Sequence, residues 1–219
     1  MESEKNKITA DHINLLKGYN MMLYFAGSMI MNEPTEECVI DFWAKGNLKM
    51  LPVSSMNPRF IEAAALLRDS CEDKKICREM LRKDYNRLFA ESGLPLAPAY
   101  ASVYLNNNRN AEEEIEKYYN SYGWEYKSDI KIAHDHLGIE LLFLTKMVNN
   151  YLSAEDERSF NDIRLAIRQF IDLYILSWIP RWNDDIISQA ETLCYKGIAT
   201  LIHACTEDIY SILISTENS

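Results

Sequence analysis

Residues 133–147 read Ala-His-Asp-His-Leu-Gly-Ile-Glu-Leu-Leu-Phe-Leu-Thr-Lys-Met. Three ionisable residues open the stretch, and the remainder is apolar on nearly every side. A helix without a solvent face belongs in the interior of an all-α domain. At about 100° per residue, Leu137, Leu141, Leu144 and Val148 form one stripe, and His136, Glu140, Phe143 and Met147 form a mixed stripe beside it. Polar groups carried into an interior need partners or they cost stability. Packing alone would make Asp135 the helix cap and His136–Glu140 an i,i+4 pair. A binding site would use the same residues differently.

The rest of the chain supplies helices to bury this one. Asp11 caps a first helix reaching about residue 31. The chain restarts at Pro34-Thr-Glu-Glu, with Phe42 and Trp43 in a second helix to about residue 48. Asn57-Pro58 opens a third helix as cap and first turn. Another runs from about residue 73 through Tyr85, Leu88 and Phe89 and stops at Ser92-Gly93. Two prolines, Pro95 and Pro98, then forbid a continuous helix. A short acidic-ended helix spans 111–122, and a connector containing Trp124 and Tyr126 leads to the central helix. Ser153-Ala-Glu-Asp156 resembles a capping box. It precedes the stripe Phe160, Ile163, Ile167, Phe170, Tyr174 and Trp178, which Pro180 ends. One last helix carries Ile186, Ala190, Leu193, Gly197, Leu201 and Ile209. No segment alternates as a strand does. The expectation is an all-α chain, a single globular domain over 1–219 of roughly eight to ten helices, with a Pro-containing loop at 94–110 and a connector or hinge at 123–134.

Composition narrows the function. A net charge of −10 disfavours a general nucleic-acid binder and favours a basic partner. Seven glycines in 219 residues argue against Gly-rich nucleotide loops. Cys38, Cys71, Cys77, Cys194 and Cys205 include no Cys-x-x-Cys pair, so reduced thiols are expected. The N-terminus lacks an apolar signal region. The apolar run 165–179 carries Arg168 and Asp172, marking a buried helix and no membrane span. A cytoplasmic protein is expected.

The triplet His134-Asp135-His136 also suits a metal, since imidazole and carboxylate are common ligands. A metal-dependent hydrolase of HD type would recruit His12 upstream and Asp184 or Asp185 downstream. Residues i and i+2 do not share a helix face, so a chelate there needs extended backbone. No metal or other cofactor is expected.

Two motifs in order carry a resemblance. Tyr100-Ala-Ser-Val-Tyr104 closes the proline segment, and Asp135-His-Leu-Gly-Ile-Glu-Leu-Leu-Phe-Leu144 follows some thirty residues on. With Tyr85-x-x-Leu88-Phe89 before them, and Trp178-x-Pro180 and Tyr195 after, the chain resembles the TorD/DmsD/NarJ family of redox-enzyme maturation chaperones. His134 stands where that family has proline before Asp-His, and Ala101 where many members carry an acid.

The resemblance implies a non-enzymatic, all-helical cytoplasmic chaperone. Its partner would be the N-terminal leader, often twin-arginine, or the apoprotein of a molybdenum-containing oxidoreductase catalytic subunit, held for cofactor insertion and assembly or export. It also implies a peptide-binding role for Tyr100, Ser102, Tyr104, Asp135, His136 and Glu140. Carboxylates suit arginines because they accept bidentate pairs, and an apolar groove suits the segment beyond them. The two loops would serve as hinges, giving a monomer or a domain-swapped dimer. A structural adaptor for a folded partner is the remaining alternative.

Overall fold

A computed structural model describes residues 8–39, 51–70, 74–90, 94–105, 110–128 and 132–215. In chain order these form α1 (Ala10–Met31), α2 (Glu36–Val39), α3 (Pro58–Arg68), α4 (Lys74–Tyr85), α5 (Ala101–Tyr104), α6 (Ala111–Ser121), α7 (Leu137–Leu152), α8 (Glu157–Phe170), α9 (Ile179–Gln189) and α10 (Leu193–Ser215). Two π-turns, Asn86–Ala90 and Ile171–Leu176, extend α4 and α8. The only β-pairing among the described residues is an isolated antiparallel bridge between Tyr100 and His136. The fold is all-α, as the periodicity implies. Beyond Val39 the second helix lies outside the described residues, as do Ser92-Gly93 and residues 106–109.

The core is built on three long helices. Helix α1 packs on both α7 and α10, α3 lies along α10, and α8 lies along α7. Both stripes of α7 are buried, from Leu137, Leu141, Leu144 and Val148 to His136, Glu140, Phe143 and Met147. The α1–α7 contact is close enough that a Cβ on Gly138 would stand 2.1 Å from Met31 Cγ. Farther along the same contact, Asn20 Nδ2 donates to Thr145 O at 3.0 Å and to Asn149 Oδ1 at 2.9 Å. A bonded amide of this kind stabilises the contact where an unpaired one would cost.

Phe143 anchors the other side of α7. The rings of Tyr118, Tyr119, Tyr122, Trp124 and Phe170 lie within about 6 Å of it, edge-on or tilted. This aromatic cluster fastens α6, α8 and the start of the 123–134 connector onto the central helix.

Several element ends differ from the sequence expectation. Thr9 caps α1 in place of Asp11, accepting from His12 N–H at 3.1 Å. Asp156 caps α8 in place of Ser153, accepting from Ser159 N–H at 2.9 Å. The helix expected to run into Pro180 passes into a π-turn at Ile171, and Pro180 instead sits in the first turn of α9. Cys77 is disulfide-bonded, against the expectation of reduced thiols, while among the described residues Cys194 and Cys205 are free and buried. Helix α10 is long and apolar enough by composition to cross a membrane, but 67% of its most apolar window is buried against the rest of the protein.

The single last helix expected is two, broken at 190–192. Asp84, on α4, makes the break possible. Its carboxyl accepts from Glu191 N–H at 3.1 Å, and from Thr192 N–H at 2.8 Å and Thr192 Oγ1 at 2.7 Å. A carboxyl brought by another helix thus satisfies the orphan amides at the start of α10. Asp84→Ala is expected to lower unfolding free energy by about 2–3 kcal/mol in urea titration. Asp84→Asn should recover part of the loss.

Candidate peptide-binding cleft

The proline loop and the entrance of α7 are joined backbone to backbone. Leu137 N–H donates to Ala99 O at 2.8 Å, and Ala101 N–H donates to Asp135 O at 2.9 Å. Prolines set the loop up for this by holding it extended, with amides and carbonyls free to pair outside a helix. The loop is secured on its other side by Trp182, whose Nε1–H donates to Ala97 O at 3.2 Å. Tyr119 O–H donates to His134 O at 3.2 Å and fixes the segment just before α7.

Each polar residue at this junction has a different task from the simplest helical reading. Asp135 does not cap its own helix: its Oδ2 accepts from Ser102 N–H at 2.9 Å, in the first turn of α5. His136 caps α7 instead, its Nδ1 accepting from Gly138 N–H at 3.0 Å. That role requires a neutral ring, and burial pushes the imidazole down to about 4. Its ring meets Tyr100 edge-on at 4.9 Å. Tyr104 stacks on Trp178 at 5.5 Å and donates to Asp185 Oδ2 at 3.1 Å.

Glu140 is left over. It is fully buried, it does not pair with His136, and among the described residues neither carboxyl oxygen has a hydrogen-bond partner. Burial first, and Asp135 second, push its carboxyl well above the usual carboxylate range. The indole N–H of Trp178 offsets only part of this, since it donates to Tyr174 O at 2.6 Å.

Beside Glu140 lies a cleft of about 460 Å³ between α5, α6, the entrance of α7, the second π-turn and α9. Of the six residues singled out from sequence, Asp135 and Glu140 line it. Tyr100, Ser102, Tyr104 and His136 do not: they hold the loop and the helix entrance in place. The apolar wall comes from Leu105, Ile115, Leu173 and Tyr174, and Glu114 and Arg181 add charge. Sequence reasoning missed these. Leu173 is 59% exposed, a large apolar side chain open to solvent beside the buried stripe. The π-turn hides it from a strict helical count, because its wide turn shifts the facing of every residue in it.

The metal reading finds no such convergence. His134 Nδ1 lies 3.6 Å from Glu116 Oε2, while Asp135 and His136 are committed to Ser102 and Gly138. Among the described residues no three His, Cys, Asp or Glu side chains are grouped to hold a metal.

This arrangement is that of an all-helical protein whose proline loop and central-helix motif frame a cleft. Residues 54–184, which include both motifs, match the model of the nitrate reductase delta subunit family, and the chain belongs to that family. Relatives named chaperone protein TorD agree with this. That of Vibrio parahaemolyticus is 27% identical over 137 residues, 61% of this chain and 64% of its own. That of Aliivibrio salmonicida is 30% identical over 124 residues, 55% of this chain and 57% of its own. The chain therefore spans about three fifths of the length of these relatives. With that of Photobacterium profundum the match is 22% over 201 residues, 89% of this chain and 93% of the relative.

The two buried groups give stability opposite pH dependences. Unfolded, the His136 imidazole takes a proton near 6.5, but folded only near 4. Its contribution is therefore lost as pH falls through this window, by on the order of 3 kcal/mol. Glu140 keeps its proton in the folded state above the ordinary 4.5, so its contribution is lost as pH rises from there. In urea titrations at pH 4.5, 6.5 and 8, His136→Asn should flatten the acid side. Glu140→Gln should stabilise the protein, more at pH 8 than at pH 4.5.

Proposed function

We propose that this protein is a maturation chaperone for a molybdenum-containing oxidoreductase. It binds the enzyme's N-terminal leader, or its apoprotein, in the cytoplasm. It holds that client until cofactor insertion and assembly or export, and has no reaction of its own. The observation that carries this reading is the cleft: carboxyl groups of Asp135, Glu140 and Glu114 stand beside an apolar wall of Leu105, Ile115, Leu173 and Tyr174. A leader that presents arginines and then an apolar stretch needs both surfaces. The relatives' name, chaperone protein TorD, supports the same reading.

In this reading the six motif residues divide between contact and support. Asp135 and Glu140 face the peptide, and Tyr100, Ser102, Tyr104 and His136 keep the cleft in shape. Apolar peptide surface gains about 25 cal/mol per Å² on burial, offset by the cost of ordering a flexible leader.

The client is identified by affinity capture with the tagged chain from its native host grown anaerobically, read by mass spectrometry. Enrichment of one molybdoenzyme catalytic subunit, lost on deletion of its leader, is the expected result. Leader-independent enrichment would place the contact on the mature enzyme, as an adaptor for a folded partner requires. The cleft itself is tested by Leu173→Arg, which should weaken leader-peptide affinity by about tenfold or more with little change in melting temperature, the position being exposed. Unchanged affinity would remove the cleft from the reading.

A further inference from the structure

Among the described residues lining the cleft, Glu114, Asp135 and Glu140 carry carboxyl groups and Arg181 carries a guanidinium. These carboxyls are not equivalent. Asp135 has an oxygen committed to Ser102 N–H, and Glu114 is exposed on α6. Among the described lining residues, Glu140 alone is fully buried with neither oxygen hydrogen-bonded. Among the described residues no cation hydrogen-bonds to it. Tyr119 comes from α6, Asp135 and the neutral capping His136 from the entrance of α7, and Tyr174 from the π-turn. Trp178, at the start of α9, already donates to Tyr174 O. A fully buried acid with no partner costs stability, so its place beside a cleft points to a ligand that supplies what the fold does not.

We propose that Glu140 is the cation receptor of the cleft: an arginine side chain of the bound peptide pairs with it, and the Glu140 carboxyl gives up a proton to solvent as the pair forms. This rests on the leader-binding reading above and adds its charge selectivity and pH dependence. The O–H bond of the carboxyl breaks, the proton passes to water or buffer, and the resulting carboxylate accepts from the guanidinium, which stays charged throughout. Binding therefore releases one proton, and affinity rises with pH by up to about tenfold per unit over the range in which Glu140 is protonated in the free protein. Arg181 opposes a second cation in the cleft, while Asp135 and Glu114 favour the first. The cleft so arranged selects a multi-donor cation that can follow an apolar segment into a desolvated position. An apolar peptide without arginine leaves the proton in place.

The test is calorimetry on the full chain with a synthetic, end-capped peptide of two adjacent arginines followed by an apolar run, free of His and acidic residues. Titrations at pH 6 are repeated in buffers of different ionisation enthalpy, whose heats report the protons released. Wild type is expected to release about one proton per peptide. Glu140→Gln, an isosteric neutral side chain, should release none and bind with an affinity independent of pH. On the wild type, the same peptide with norleucine in place of arginine should also release none. Binding by wild type without proton release, or equal release by Glu140→Gln or with the norleucine peptide, overturns the role of Glu140 and leaves the chaperone reading standing. No binding of the arginine peptide by wild type overturns both.

Discussion

The architecture of the cleft depends on a short piece of backbone pairing in an otherwise helical protein. Two hydrogen bonds, Leu137 N–H to Ala99 O and Ala101 N–H to Asp135 O, clamp the proline loop to the entrance of the central helix. Everything else at the site is arranged around that clamp. Asp135 is free to cap α5 because His136 caps α7, and His136 can cap only as a neutral ring, which its burial ensures. The two segments that carry the family motifs are distant in sequence yet act as one structural unit. Each is held by backbone hydrogen bonds to the other.

This interdependence explains what could and could not be read from the chain. The apolar faces of α1, α7 and α8 follow from the period of their side chains, and the cap at Asn57 follows from Asn-Pro. Those features are local. The caps of α5 and α10 come from Asp135 and Asp84, carboxyls on other segments, so no local pattern announces them. The π-turns are equally hidden, since their residue spacing reads as ordinary helix. For the same reason the break between α9 and α10 was not legible.

The site divides along the same line. Asp135, His136 and Glu140 stood out because polar groups at the entry of a buried helix demand an explanation. Their roles were not legible: the adjacency of His136 and Glu140 on a helical wheel suggested a pair, but capping turns the imidazole away toward Gly138. The apolar wall of Leu105, Ile115, Leu173 and Tyr174 gathers residues from separate segments and has no linear signature. Of the six motif residues, Asp135 and Glu140 line the cleft, and its apolar wall comes from outside the two motifs.

The second π-turn has a consequence for how such a protein can vary. Ile171–Leu176 holds one residue more than an α-turn needs, and it does so where Leu173 and Tyr174 wall the cleft. Removing one residue would let the segment close into continuous α-helix with its hydrogen-bond ladder intact. Because the π-turn already absorbs the extra residue within itself, the helix on either side would keep its facing, and only the residues inside the turn would change theirs. The wall would exchange its side chains while the core beneath kept its own. The turn is a gear in the chain: a change of length by a single residue there would alter what the cleft presents without unmaking the helix that supports it.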